Sequence, residues 1–287
     1  MAEDGVLRIG ICQFPVGNDP RRNGERIRDQ MREAAEAGAH IAHFPECALS
    51  GHPGSQGSEW RGFDWETIGH EIRAILQEAR RSGIWAAFGG AHTLTGEHKP
   101  HNSVYVINPR GEIEDRYDKR FLTQGELPYF SPGDRPTVFS LKGVRCGVYI
   151  CYEKWFPELF CDYKRRGAQL LLDSISSQER DFSPRTDKQC LDDSERALWI
   201  AHARLNHLWI SVSNHCRQDQ DNTSFLVDPD GRLQKLPFKE TCVRVFEVDT
   251  RRELWDPSGP FRDLALSGAT HNGEVVDDPR SSDKRSP

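Results

Sequence analysis

No apolar run in this 287-residue chain approaches the roughly 18 residues that would suggest a membrane span. With 29% charged residues and a mean hydropathy of −0.69, the chain is read as one with no membrane partner. The N-terminus, MAEDGVLRIG, lacks a basic segment ahead of an apolar stretch, so no secretory signal is expected. An excess of positive charge is missing too. The net charge is −6, and the RR and KRR clusters sit among acids, which argues against a nucleic-acid partner. The eight cysteines are Cys12, Cys47, Cys146, Cys151, Cys161, Cys190, Cys216 and Cys242, and none forms a CxxC pair or another zinc-type spacing. A secreted disulfide scaffold would be shorter and denser in cysteine. The thiols are therefore read as free in a reducing cytoplasm, most of them as small core fillers.

What is present is a pattern that runs twice. VLRIGICQF (6–14) alternates as a strand, and Asn18-Asp19-Pro20 opens a helix with Ile27, Met31 and Ala34 on one face. HIAHF (40–44) is a short buried strand, and a helix over 65–82 carries the stripe Ile68, Ile72, Ile75 and Ala79. The order then restarts. VRCGVYIC (144–151) reads as a strand, Pro157 opens a helix that ends at Gly167, GAQLLLDS (167–174) is a strand, and a helix covers about 187–206. GAHIAHF matches GAQLLLD, and NSVYVINPRGEI matches NTSFLVDPDGRL with Asn102/Asn222, Pro109/Pro229 and Gly111/Gly231 in register. Pro-x-Gly between alternating strands signals a hairpin. Two α/β halves back to back predict two sheets packed face to face with helices outside, a four-layer αββα sandwich. Residues 1–266 are expected to form a single domain. Residues 267–287 form a polar tail, either disordered or packed on a partner subunit.

Polar residues gather in three suspicious places. PECALSG puts Glu46 just beyond the strand HIAHF, Lys119 follows the first Pro-x-Gly hairpin, and the strand VRCGVYI runs into Cys151. In α/β sheets, functional groups collect at the carboxyl ends of strands. A cysteine that cleaves an amide needs a base for its proton, a donor for the oxyanion and an acid for the leaving nitrogen. Taken singly, each residue also has a plain reading: a buried thiol, a helix N-terminal acid, a surface lysine.

Three segments in order, FPECALSG, YDKRFLTQGE and GVYICYEKWFPE, resemble the glutamate, lysine and cysteine motifs of the nitrilase superfamily of carbon–nitrogen hydrolases, over about residues 6–250. The resemblance implies an αββα fold and a set of roles. Cys151 would be the nucleophile and form a thioester. Glu46 would be general base and then acid. Lys119 would stabilise the oxyanion, with the backbone N–H of Tyr152 as a second donor, and Glu126 would hold Lys119 and the substrate. A lysine between two glutamates stays charged, and a nearby cation favours thiolate. No metal or organic cofactor is needed. Tyr152 and Trp155 are the candidate substrate contacts, although Trp155 could equally just pack. Cys47 is the rival nucleophile. Cys146 points away from Cys151 along a regular strand and reads as core. His52, His92 and His101 show no metal or Cys–His spacing and are read as packing.

The chain departs from the family pattern at two points. Glu153 stands where aspartate is common, and HARLN (202–206) replaces an Arg-Ala-x-Glu-Asn pattern, keeping Ala203 and Asn206. The expected activity is cleavage of a non-peptide C–N bond in a small amide or N-carbamoyl compound, by a cytoplasmic homo-oligomer. A nitrile hydrolase, an acyltransferase on the same thioester, or a non-catalytic binding protein are the alternatives. Leu159, Phe160 and Tyr163 are candidates for a subunit face or for packing on their own sheet. Specificity is expected in loops 52–63, 123–136 and 176–187, where Asp134, Glu179 and Asp181 oppose Arg135, Arg180 and Arg185 and leave the charge of the substrate open.

Overall fold

The computed structural model describes residues 4–53, 60–178 and 188–283, so Glu179, Arg180, Asp181 and Arg185 lie outside the described residues. The first half runs β1 (Val6–Gln13), α1 (Pro20–Glu36), β2 (Ile41–His43), α2 (Trp65–Ser82), β3 (Trp85–His92), β4 (His101–Ile107) and β5 (Ile113–Asp118). The second runs β6 (Thr137–Leu141), β7 (Val144–Ile150), a 3-10 turn over Cys151–Trp155, α3 (Pro157–Arg165), β8 (Leu170–Ser174), α4 (Lys188–Asn206), β9 (Trp209–Ser213), β10 (Phe225–Val227) and β11 (Leu233–Lys235). A last strand, β12 (Cys242–Asp249), returns to the first sheet. One compact unit ends at Trp255. Asp256–Pro287 form a second, with α5 (Gly259–Leu266) and the four-residue α6 (Pro279–Ser282).

Local chemistry sets the helix bounds. Asp19 caps α1 by accepting from the N–H groups of Arg21 and Arg22, with Pro20 in the first turn. Asp64 caps α2 through Thr67, and Gly83 closes it in the left-handed conformation. Each helix buries one stripe. Ile27, Met31 and Ala34 of α1 join Ile68, Ile75 and Ala79 of α2 against Ala42, Phe44 and Phe88 on the outer face of the first sheet. Where α1 crosses α2, the buried carboxylates of Glu71 and Glu78 pair with Arg28 and Arg32.

The sheets run β12-β1-β2-β3-β4-β5 and β11-β10-β9-β8-β7-β6. β1, β2 and β3 are parallel, as are β7, β8 and β9, while the outer strands are antiparallel. Leu7, Ile9 and Ile11 share one core with Cys146, Val148 and Ile150, so the two sheets meet face to face in the expected four layers. The duplication extends to individual hydrogen bonds. His40 N–H donates to Arg8 O as Gln169 N–H does to Arg145 O, and Trp85 N–H donates to His40 O as Trp209 N–H does to Gln169 O. In the hairpins, Gly111 N–H donates to Asn108 O and Gly231 N–H to Asp228 O.

Two strands differ from the sequence reading. β6 and β12 are strands that it passed over. Both lie at sheet edges, and β12 is half-exposed, so CVRVFEVD carries charges that blur its alternation. Of the two readings open for Leu159, Phe160 and Tyr163, packing is the one found: all three are buried in the chain's own core. Cys146 is core, as its spacing implied.

Candidate active site

Glu46 follows β2 in a tight turn that lies against β3. The approach is so close that a Cβ on Gly89 would sit 2.4 Å from Pro45 O and 2.5 Å from Cys47 N, so only glycine fits there. The turn is pinned from the other sheet as well, because Glu46 N–H donates to Ile175 O just past β8. Lys119 follows β5, and its own N–H donates to Asn102 O on β4. Glu126 sits in the next turn, where Thr123 N–H donates to Glu126 Oε2 at 2.8 Å.

These three side chains meet. Lys119 Nζ donates to Glu46 Oε1 at 2.8 Å and to Glu126 Oε1 and Oε2 at 2.7 and 2.9 Å. The lysine side chain is 1% exposed, so both carboxylates act on it in a medium that screens little. Burial alone would drive its proton off. Glu46 and Glu126 more than reverse that, and the ammonium is held well above its ordinary pKa. Burial would likewise raise Glu126, yet Lys119 and His52 hold its carboxyl well below the usual range.

Cys151 opens the 3-10 turn after β7, with φ 53 in the left-handed region. Its thiol is near enough to feel the charges of both Glu46 and Lys119. The sequence reading expected the cation to favour thiolate. Lys154 and Lys119 do pull the thiol down, but burial, with Glu46 adding to it, outweighs them and pushes it up to about 12. The resting group is S–H, and a base has to remove its proton. Cys47 is a second buried thiol beside the cluster, raised by burial and by both glutamates, with its S–H directed at Asn102 Oδ1.

Tyr152 is half-buried, its ring edge-on to Phe156. Trp155, at the far end of the turn, is 44% exposed and stands outside the buried cluster. The longer side chain of Glu153 turns out to be a clamp. Its carboxylate is fully buried and accepts from Ile150 N–H, Arg120 N–H, Phe121 N–H and the Tyr117 hydroxyl, which ties the lysine loop to the cysteine turn. His202, in the arginine's place in HARLN, stacks on Phe160, and its Nε2 lies 3.0 Å from Lys154 O in the same turn.

Two site residues had escaped the sequence reading. Asn102 donates from one Nδ2 to Glu46 Oε1 at 2.7 Å and to Glu126 Oε1 at 3.1 Å, bracing both carboxylates. It had been noted only as a hairpin match. His52, read as packing, has Nε2 3.6 Å from Glu126 Oε1, and the neighbouring carboxylates raise it against the pull of burial. His92 and His101 pack elsewhere, against Tyr105 and Ser131 O. Glu46, His52 and Glu126 are grouped closely enough to hold a cation, but the Lys119 ammonium already bonds to both carboxylates.

The mouse (Mus musculus) omega-amidase is 25% identical over 86% of this chain and 90% of its own length. An (R)-stereoselective amidase from a Pseudomonas species is 28% identical over 72% of each chain. Two Mycobacterium tuberculosis proteins described as hydrolases are 32% identical over 58% of this chain, which spans 59% of their length. An amidase from Nesterenkonia sp. AN1, solved with the acetamide moiety of fluoroacetamide on its active-site cysteine, shares the fold. Its TM-score is 0.75 at 24% identity, over 87% of this chain and 92% of that one. The carbon–nitrogen hydrolase family profile matches residues 8–255, and the chain belongs to that family.

Proposed function

We propose that the protein hydrolyses a non-peptide C–N bond of a small amide or N-carbamoyl compound through a thioester on Cys151. One observation carries the reading: a fully buried ammonium bonded to two carboxylates beside a strand-end thiol. Such a cluster is costly to bury and stabilises the fold little, which fits a catalytic use.

In the first step Glu46 takes the Cys151 proton as sulfur attacks the carbonyl carbon. Burial raises the thiol, so sulfur keeps its proton until Glu46 takes it. The carbonyl oxygen becomes an oxyanion, met by the Lys119 ammonium and the Tyr152 N–H. The C–N bond then breaks, and Glu46 gives its proton to the leaving nitrogen, releasing ammonia or an amine. In the second half Glu46 takes a proton from water, the hydroxide attacks the thioester carbon, and the acid leaves as the thiol is restored. Glu126, with Asn102 and Thr123 behind it, keeps Lys119 aimed. The amidase relatives support amides over nitriles as substrates. A cytoplasmic, homo-oligomeric enzyme is part of the same reading, and light scattering of the purified chain checks its assembly.

The test is Cys151→Ala with an ammonia-release screen over amides, carbamoyl amines and nitriles. The variant is expected to fold and to lose at least about a thousandfold in turnover. Turnover that survives the substitution sinks the reading.

A further inference from the structure

β8 carries Asp173, fully buried, after three leucines and one place before its last residue. By register against β1 and β7, the first half has Phe44 at the matching place, packed under its helices. Nothing in the apolar packing calls for a charge here, and a buried carboxylate is costly unless its donors are supplied. Backbone and side-chain donors meet both oxygens of Asp173. The backbone N–H of Cys151 donates to Oδ1 at 2.8 Å, and the indole N–H of Trp199 on α4 donates to Oδ2 at 2.7 Å. The buried Lys154 ammonium lies 4.8 Å from the Trp199 ring centroid and 3.7 Å from Glu195 Oε2, and its charge also acts on Asp173. The Tyr149 hydroxyl borders the carboxylate from β7.

What Asp173 touches is the peptide of the nucleophile. Cys151 holds a left-handed conformation that a side chain adopts at a cost. An acceptor fixed on its N–H keeps that peptide plane from relaxing into an extended strand. We infer that Asp173 is a positioning residue, anchoring the Cys151 N–H so that the turn presents the thiol and the Tyr152 N–H to substrate. The inference rests on Cys151 being the nucleophile.

The ionised carboxylate accepts on both oxygens, whereas a protonated one has to place an O–H beside the Cys151 and Trp199 N–H donors. Burial pushes Asp173 up to about 7, against Lys154, Trp199 and the Cys151 N–H. Of the groups that face it, Lys154 favours the anion, while Tyr149 and Trp199 are neutral; Glu195 reaches Lys154 from α4. The anchor therefore strengthens as pH rises through neutrality.

Asp173→Asn keeps the size and one acceptor but removes the charge. It is expected to lower kcat about 10- to 100-fold, the scale of a hydrogen bond to a charged acceptor, with KM within about twofold. A purely structural role would not alter the pH profile of Cys151 alkylation by iodoacetamide, followed by mass. In the wild type that profile is expected to show an inflection near neutral pH, and Asp173→Asn is expected to lack it. A variant with wild-type kcat and an intact inflection overturns the inference. If Asp173→Asn fails to fold, Lys154→Met carries the test. Loss of the cation disfavours the anion, so the inflection moves to higher pH, and an unmoved inflection overturns the inference. Activity that survives Cys151→Ala strikes at the nucleophile itself, so the two failures are told apart.

Discussion

β1 and β7 occupy equivalent places in the two sheets. Each pairs in parallel with a short buried strand, β2 or β8, yet one runs into Phe14 and the other into Cys151. The next strand ends differ as well: Glu46 follows β2, and the matching residue after β8 is Ile175. The hairpin that delivers Lys119 has a counterpart in β10 and β11, but among the described residues it is Lys119 that bonds to Glu46 and Glu126. The backbone is duplicated and the chemistry is not. One half supplies carboxylates and ammonium, the other supplies sulfur, and the contact between the sheets makes the site.

Three contrasts probe that division. The largest effect is expected at Glu153, whose first-half counterpart by register is the apolar Val16. Glu153→Ala strands three backbone N–H groups and a buried hydroxyl. It should cost about 3–5 kcal/mol and lower the melting temperature by about 10 °C, read by circular dichroism. If melting is unchanged, the clamp between lysine loop and cysteine turn is not what the geometry says it is.

Asn102 and Asn222 match in the two hairpins, but only Asn102 braces site carboxylates. Asn102→Ala is expected to lower kcat about tenfold or more, while Asn222→Ala stays within about twofold of wild type. Equal losses would mean that the two positions serve the hairpins alone.

The smallest contrast is at the hairpin glycines, both with positive φ. A Cβ on Gly111 would meet Leu76 O at 2.5 Å, backbone that cannot step aside, whereas on Gly231 it would meet Ile200 Cγ2 at 3.0 Å. Gly231→Ala should cost about 1 kcal/mol from its φ alone, and Gly111→Ala more, by urea unfolding. The reverse ranking would show that the halves differ there in some other way.

The parts of this molecule that short segments encode were readable in advance. Helix bounds followed from Asp19, Pro20 and Gly83, and the three catalytic candidates each sit inside one contiguous motif. What escaped depends on approach in space. Asn102 and Glu46 are 56 residues apart and meet only once β4 lies beside β3. His52 carries no spacing signal, because its partner Glu126 comes from another loop. Asp173 looked like one more strand residue, and only the Cys151 N–H above it gives it a purpose. How far the cation acts on the thiol was hidden for the same reason: Lys119 does pull it down, but the depth of the cysteine is a tertiary quantity, and depth outweighs the cation.

The position of β12 has a consequence for synthesis. Its eight residues pair with all of β1, from Val6 opposite Asp249 to Gln13 opposite Cys242. A ribosome therefore delivers the whole second sheet before the first can be finished, and the open edge of the earliest strand invites a foreign ladder in the interval. Once the late strand docks, Thr250 N–H donates to Gly5 O at 2.9 Å, which ties the end of β12 to the start of β1.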